Sequence, residues 1–176
     1  MYIKGIVKKD KKTKNLIERL NPGDIALISH RDIDEVAALS LAEKKVKCII
    51  NTEETISGKY PNQGPMILLE ENIPIFEIKQ KNIFDIIDEN SIVEINDNNI
   101  IYKDEIIATC GLLNRHKIEQ LLKIGYKNIE KELEGFIENT LEYAKKEKGI
   151  VTGEIPIPRT KTKIRGRHVL VVVRGK

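Results

Sequence analysis

NTEETISGKYPNQGP, the stretch from Asn51 to Pro65, decides the fold because it separates two elements of different type. Before it, the run VKCII (Val46–Ile50) is short and apolar apart from Lys47, which is typical of a buried strand. After it, MILLEEN (Met66–Asn72) predicts a short helix, and Pro65 suits the first helical position. We call Asn51–Pro65 the central segment. A loop between a strand and a helix directs backbone N–H groups and the positive end of the helix at one point, so this segment is a candidate anion site.

The residues before the central segment predict a βαβ unit. Tyr2–Val7 alternates in the manner of a strand, and the turn signal Asn21–Asp24 leads into a buried strand at Ile25–Ser29. Apolar residues recur at helical spacing from His30 to Lys45, which predicts a helix. Strand, helix and strand in this order favour parallel pairing.

The residues after the central segment predict a mixed α/β domain that ends near Cys110. Ile73–Ile78 predicts a further strand, and Asn82–Ile87 predicts a short helix. Three short β runs follow within Ser91–Ala108, and the residues Asp97–Asn99 between two of them have the composition of a hairpin turn. We therefore expect an α/β domain over residues 1–110, with a parallel core and β hairpins.

The rest of the chain predicts a helical extension, a linker and the start of a second domain. Residues 111–148 carry apolar side chains at helical spacing among Glu and Lys, which favours either a homodimer through Leu112–Lys148 or packing on the chain's own domain. Gly, Pro, Thr and Lys recur in 149–164, which is typical of a linker. The apolar run Val169–Val173 predicts that 165–176 is the first strand of a truncated second domain.

The composition excludes several classes of protein. The net charge of +3, the aromatic content of 5% and the absence of Trp argue against a nucleic-acid-binding surface. No apolar run approaches the ~20 residues of a membrane-spanning helix. Cys48 and Cys110 lie in apolar runs without C-x-x-C spacing, which is typical of buried, reduced cysteines. We therefore expect a cytoplasmic protein that spans no membrane and binds no nucleic acid.

The central segment holds most of the candidate ligand-binding residues: Ser57, Gly58, Lys59, Tyr60, Asn62, Gln63 and Gly64. The lysine supplies a positive charge, the polar side chains supply hydrogen bonds, and the glycines allow close backbone approach. His30 and Asp32 join this set, because loops that follow parallel strands open onto one edge of the sheet. A nucleotide or a sugar phosphate would suit a lysine and a carboxylate together, since it carries both phosphate and hydroxyl groups.

Structural roles compete with these assignments. A loop of this length also forms an ordered structure held by its own polar side chains. Asp32 followed by Glu35 has the spacing of a capping box, and Asp34 suits the positive end of the same helix. We therefore interpret these carboxylates as helix-capping residues rather than metal ligands. No arrangement of nucleophile, histidine and acid is evident, and the sequence assigns no catalytic residue, metal or cofactor.

Three stretches resemble the N-terminal part of SteA-like proteins: Thr13–Leu41, ISGKYPNQGP (Ile56–Pro65) and GRHVLVVVRG (Gly166–Gly175). These are bacterial proteins associated with the cytokinetic ring, and their C-terminal domain is similar to thiamin pyrophosphokinase. The resemblance implies a non-catalytic regulatory or ligand-binding module linked to cell division, with division proteins as partners. The alternative is a module for protein interaction and dimerisation. In that family the aspartate-rich pyrophosphokinase motifs lie downstream of the third stretch, and this sequence does not contain them.

The order of elements is also similar to the swivelling phosphohistidine domain of phosphoenolpyruvate-utilising enzymes, a β/β/α-like fold. In that family a Ser-His pair opens the helix before an Ile-Pro pair, and the histidine carries phosphate. Counting back from Ile73 and Pro74, the Ser-His pair falls on Asn62 and Gln63. Glutamine has no imidazole nitrogen to phosphorylate, so we expect the fold without phosphotransfer.

Overall fold

The structure is a computed structural model that describes residues 1–80, 82–154, 165, 166 and 168. The chain divides into two units, Met1–Glu132 and Leu133–Lys176. Every described strand belongs to the first unit. The predicted strand Val169–Val173 and residues 155–164 of the predicted linker lie outside the described residues.

The described elements follow in the order β1 (Tyr2–Asp10), α1 (Thr13–Arg19), β2 (Ile25–Ile28), α2 (Glu35–Glu43), β3 (Cys48–Asn51), α3 (Gly64–Glu70), β4 (Ile75–Ile78), α4 (Ile83–Ile86), β5 (Ile92–Asn96), β6 (Asn99–Tyr102), β7 (Glu105–Leu112) and α5 (Arg115–Val151). Helix α5 is continuous through Gly125 and includes residues 149–151 of the predicted linker. None of the helices described is both long and apolar enough to cross a membrane.

The strands form a closed barrel in the order β1-β2-β3-β4-β7-β6-β5. Strands β1 to β4 pair in parallel, and helices α1, α2 and α3 connect them in turn. Strands β5, β6 and β7 pair antiparallel and close the barrel against β1 and β4. The predicted α/β class is confirmed, and so is the predicted parallel pairing of β2 with β3.

Two apolar cores form because alternate residues of a strand face opposite sides of the sheet. In β2, Ile25 and Leu27 pack inside the barrel, whereas Ala26 and Ile28 pack under the helices. For this reason β2 is apolar throughout instead of alternating with polar residues. The outer core also takes in Leu16 from α1, Leu41 from α2, Leu68 from α3, and Ile118 and Leu122 from α5.

Tight turns with positive φ join the antiparallel strands. Asp97 has a φ of 51° between β5 and β6, and Lys103 and Asp104 have φ values of 52° and 65° between β6 and β7. Asp and Asn adopt this left-handed conformation more readily than most residues. The hairpin predicted at Asp97–Asn99 is confirmed by the antiparallel pairing of β5 with β6.

Thiol reactivity tests the packing inside the barrel, because Cys48 and Cys110 both belong to that core. Burial raises the pKa of the Cys48 thiol to about 12 and also raises the pKa of Cys110. The thiolate is the reactive form, so we expect neither cysteine of the folded protein to react with Ellman's reagent at pH 8. Protein unfolded in urea serves as the control, in which both thiols react. Rapid reaction of either thiol in the folded protein would contradict this packing.

Candidate functional site

The buried side chain of Asn51 holds the start of the central segment against the end of β2. Asn51 is the last residue of β3 and is fully buried. Its Nδ2 donates to the backbone oxygen of His30 over 2.7 Å and to Thr55 Oγ1 over 3.1 Å. Its Oδ1 accepts from the backbone N–H groups of His30 at 3.0 Å and Glu53 at 3.2 Å. Both donors and both lone pairs of this amide are therefore used, which fixes the first turn of the segment.

His30 connects this edge of the sheet to α1. Its Nδ1 lies 2.9 Å from the hydroxyl oxygen of Thr13, the buried first residue of that helix. Its backbone N–H and oxygen are both bonded to the Asn51 amide. The central segment and His30 are thus joined through Asn51 at the backbone, while the imidazole ring faces α1.

Asp32 binds the central segment directly. Its Oδ1 accepts from the backbone N–H of Ser57 at 2.7 Å, and its Oδ2 accepts from Ser57 Oγ at 2.9 Å. The φ of Asp32 is 54°, a conformation that is uncommon outside glycine and persists only with support from its surroundings. Backbone hydrogen bonds from Asp32 to Glu54 and from Ile33 to Thr55 give that support. The structure therefore brings Asp32 and Ser57 together.

The capping-box interpretation of Asp32 and Glu35 is wrong. Helix α2 begins at Glu35, and its N-cap is Asp34, whose Oδ1 accepts from the backbone N–H of Ala37 at 2.7 Å. The carboxylate of Asp32 is instead occupied by the two donors of Ser57. Both aspartates shortly precede the helix, so sequence spacing alone does not show which of them caps it.

Two glycines of the central segment lie against other parts of the chain. Gly58 is buried with a φ of 78°, and an added Cβ would lie 3.2 Å from the side chain of Leu121 in α5. Gly64 begins α3, and an added Cβ there would lie 2.3 Å from the backbone oxygen of Ile33. The sequence predicts that these glycines let a ligand approach, but here they let the protein's own segments approach.

Helix α5 packs on the central segment through Gly125 and its neighbours. An added Cβ at Gly125 would lie 2.6 Å from the carbonyl carbon of Tyr60. Asn128 Nδ2 donates to the backbone oxygen of Gly58 over 2.9 Å. Gln63 Nε2 donates to the hydroxyl oxygen of Tyr126 over 3.0 Å. The central segment is therefore a docking surface for α5.

Lys59 and Tyr60 form the exposed tip of the central segment. The Lys59 ammonium lies 5.5 Å from the centre of the Tyr60 ring, and Tyr60 is 50% exposed. The backbone N–H of Lys59 donates to Ser57 Oγ at 3.2 Å, and that of the half-buried Asn62 donates to the Tyr60 oxygen. A cation beside an exposed ring is the part of the segment still open to a ligand. That the predicted set binds an anion stays a prediction.

Glu77 is a residue of this site that sequence analysis misses. It lies in β4, and its Oε1 accepts from the backbone N–H of Thr55 at 2.8 Å. Its Oε2 lies 3.0 Å from the ammonium of Lys117 in the first turn of α5. One carboxylate thus ties both the central segment and α5 to the sheet. One feature of the sequence could have identified this residue, because Glu77 is the only charged residue in the apolar run Ile73–Ile78.

An open cleft of about 830 Å³ lies beside Glu77, where β3 and β4 meet β7. Its polar lining includes Thr52, Glu53, Glu77, Lys79, Thr109 and Lys117. Acidic and basic side chains are mixed there, so the lining does not favour a ligand of one charge. Across the described part of the chain, His, Cys, Asp and Glu side chains do not gather in groups of three that could hold a metal ion.

No protein-family model matches this sequence, and no curated protein matches it. Among solved structures, the chain is similar to a 3-isopropylmalate dehydratase from Methanocaldococcus jannaschii, at 15% sequence identity. The alignment covers 80% of this chain and 99% of that chain, with a TM-score of 0.44. No conclusion about function rests on this similarity.

The substitution Gly125→Ala tests the contact between α5 and the central segment. We expect it to lower the free energy of unfolding by about 1–3 kcal/mol, because the backbone of Tyr60 and Pro61 cannot move aside as a flexible side chain does. Gly135→Ala in the same helix is the matched control, since nothing lies within 4 Å of its added Cβ. Alanine there stabilises the helix by up to about 1 kcal/mol. Urea denaturation measures both variants, and equal changes would contradict the contact.

Proposed function

We propose that this chain is the non-catalytic N-terminal part of a SteA-like protein linked to cell division, and that it acts as an assembly module that self-associates through α5. The resemblance of Thr13–Leu41, Ile56–Pro65 and Gly166–Gly175 to that family supports the first part. The first two of these stretches are in contact, since Asp32 belongs to one and Ser57 to the other. This contact gives the two similar stretches a common structural role.

The exposed apolar side of α5 is the observation that carries the proposed assembly function. Its large apolar side chains recur at helical spacing and are 40–67% exposed: Ile129, Leu133, Phe136, Ile137, Leu141 and Tyr143. We call this set the α5 stripe. Exposed apolar surface that is contiguous marks an interaction site more often than isolated apolar residues do. Burying it against a partner is favourable by about 25 cal/mol per Å².

The contacts of the central segment favour assembly over ligand binding. Its glycines, the Gln63 amide and the Gly58 oxygen are engaged by α5 or by the α2 junction. Ser57 is engaged by Asp32. A loop whose polar groups are bonded within the chain has few left for a phosphate. We therefore propose that the segment anchors α5, and that Gln63 takes no part in phosphoryl transfer.

We also propose that the fold is a swivelling β/β/α-like domain and that the protein is located in the cytoplasm. Three parallel strand pairs beside an antiparallel set support a swivelling β/β/α-like domain. Cys48 and Cys110 are both free thiols, which supports a location in the reducing cytoplasm. Division proteins of the cytokinetic ring are the proposed partners of the assembled module.

Sedimentation equilibrium of the full chain tests the assembly function. We expect the wild-type chain to be a dimer at tens of micromolar. Leu133→Ser with Phe136→Ser removes two large apolar groups from the α5 stripe, and we expect it to weaken the dimer by at least ~100-fold. Lys131→Ser with Glu138→Ser, on the opposite side of the helix, is the matched control and leaves the dimer unchanged. A wild-type monomer at these concentrations would overturn the proposal.

A second candidate function is the binding of a nucleotide or sugar phosphate at the tip of the central segment. The favouring observation is the pair of Lys59 and Tyr60, a cation and an aromatic ring that are both exposed. A phosphate would bind the ammonium, and a base or sugar ring would lie on the tyrosine.

Titration calorimetry with a nucleoside monophosphate and a hexose phosphate tests this candidate. An exposed ionic contact is worth about 1 kcal/mol, so we expect Lys59→Ala to bind about fivefold more weakly than wild type, with a smaller difference at high salt. Lys14→Ala, another exposed lysine, is the control and binds as wild type does. Absence of binding by wild type at millimolar concentration, or equal binding by Lys59→Ala, would refute it.

A further inference from the structure

We infer that the open cleft beside Glu77 binds a small zwitterion of the amino-acid class, a molecule that carries an ammonium and a carboxylate group together. This inference goes beyond the proposed assembly function and does not depend on the α5 stripe. Two observations carry it, namely the uncovered outer side of β4 and β7 and the order of charged groups across the ends of β3, β4 and β7.

The cleft lies where the series of parallel crossovers stops. Helices α1, α2 and α3 connect successive strands from β1 to β4, but the chain leaves β4 through α4 to β5, which pairs with β1. Ile83 and Phe84 of α4 belong to the core inside the barrel, and the next neighbour of β4 is the antiparallel strand β7. Among the described elements, no crossover helix therefore connects β4 with β7. Ligands of α/β proteins commonly bind beyond the carboxyl ends of parallel strands, where the order of connections changes.

Gly111 leaves open space on the floor of this cleft. It is exposed in β7, opposite Glu77, and an added Cβ would contact only the backbone oxygen of Glu77, at 4.0 Å. By contrast, Gly58, Gly64 and Gly125 lie against other segments of the chain. The cleft volume of about 830 Å³ is within the range of ~300–1,000 Å³ for small-molecule pockets. This floor is therefore accessible to a small ligand.

Acidic and basic groups of the cleft follow one another across the strand ends. The strands lie side by side in the order β3, β4, β7. Glu53 and Glu54 follow the end of β3, Lys79 follows the end of β4, and Thr109 belongs to β7. All four residues line the cleft. A ligand that lies across the strands would thus have carboxylates at one end and an ammonium with a hydroxyl at the other.

Lys79 and Thr109 form the proposed carboxylate-binding end. They are neighbours, because Ile78 and Cys110, which adjoin them in the sequence, are paired in the sheet. Both side chains are exposed. Within the part of the chain that the structure describes, neither side chain is engaged in a hydrogen bond or an ion pair. An ammonium and a hydroxyl are suitable donors for a carboxylate.

Glu54 forms the proposed ammonium-binding end. Its carboxylate lies 2.9 Å from Arg31, and the two side chains are 64% and 61% exposed. A carboxylate accepts several hydrogen bonds, so Glu54 can bind a ligand ammonium while it keeps this contact. Glu77 and Lys117 lie 3.0 Å apart between these ends and neutralise each other.

This arrangement of charges selects the class of ligand. A simple anion would be attracted by Lys79 but repelled by Glu54, and a simple cation would meet the opposite problem. A zwitterion places each of its charged groups beside a group of opposite sign. Leu112, which is 44% exposed, lines the cleft next to Gly111 and provides apolar surface for an aliphatic side chain. We therefore assign an aliphatic amino acid as the ligand class.

Titration of the ¹⁵N-labelled full chain, followed by amide chemical shifts, tests the ligand class. The probe is norleucine, and its matched analogues are hexanoate, which lacks the ammonium, and pentylamine, which lacks the carboxylate. We expect norleucine to shift the signals of Thr109 and Gly111. We expect each analogue to bind about fivefold more weakly, because each loses one exposed ionic contact.

Three variants test the site itself. We expect Lys79→Gln and Glu54→Gln each to bind norleucine about fivefold more weakly than wild type, and Lys79→Gln no longer to distinguish norleucine from pentylamine. Gly111→Val fills the floor and abolishes binding. Its free energy of unfolding is not lowered, because the position is open and valine favours strands. Lys14→Gln and Glu43→Gln, exposed and outside the cleft, are the matched controls and bind as wild type does.

The outcomes separate this site from the assembly function, since sedimentation of the dimer is measured independently. Binding of norleucine that both analogues and all three variants weaken supports the cleft site. Absence of shifts at tens of millimolar norleucine, or shifts confined to residues outside the cleft, overturns it. Equal binding of hexanoate or pentylamine overturns the ligand class, and wild-type binding by a folded Gly111→Val chain overturns the location. If urea denaturation shows that Gly111→Val does not fold, Lys79→Gln and Glu54→Gln decide, and wild-type binding by both overturns the location.

Discussion

The arrangement of this protein depends on the close contact between α5 and the central segment. At Gly125 the helix backbone approaches the backbone of Tyr60 and Pro61 to a distance that leaves no room for a side chain. Hydrogen bonds from Asn128 to Gly58 and from Gln63 to Tyr126 flank the contact. The ion pair of Glu77 with Lys117 adds a connection from the first turn of α5 to the sheet. The start of a long helix is thereby held at several points by one loop and at one point by the sheet.

Because of this contact, the central segment packs against α5 at a position where many α/β proteins bind a ligand. A loop after a parallel strand is a common place for a ligand in α/β proteins. Here the same position receives a helix of the chain itself, and Asp32 takes the donors of Ser57 that a phosphate would need. Two exposed features described above are the α5 stripe and the pair of Lys59 and Tyr60. Of these, the stripe is the larger and the more apolar, which is why assembly is the function that we propose.

The sequence predicts the elements of this fold better than their contacts. The apolar runs Ile25–Ile28 and Cys48–Ile50 identify buried parallel strands because both faces of those strands are covered. The hairpin at Asp97 follows from local turn chemistry. By contrast, the contact of Gly125 with Tyr60 joins residues far apart in the sequence. The local sequence around each of them does not predict this contact. For the same reason Asn51, Glu77 and Asn128 are not predicted as parts of the site, and Asp34 rather than Asp32 proves to be the helix cap.

The closed barrel affects which parts of the protein can bind another protein. An open sheet ends in a strand with unpaired backbone groups, and such an edge can recruit extended peptides or nucleate aggregates. In this barrel β5 returns to pair with β1, so each strand has a neighbour on both sides. Among the strands that the structure describes, none is therefore a terminal strand through which β-augmentation could occur. Recognition through side chains on helices and loops is the route that this architecture leaves, and new partners would be gained by changing those surfaces while the barrel stays the same.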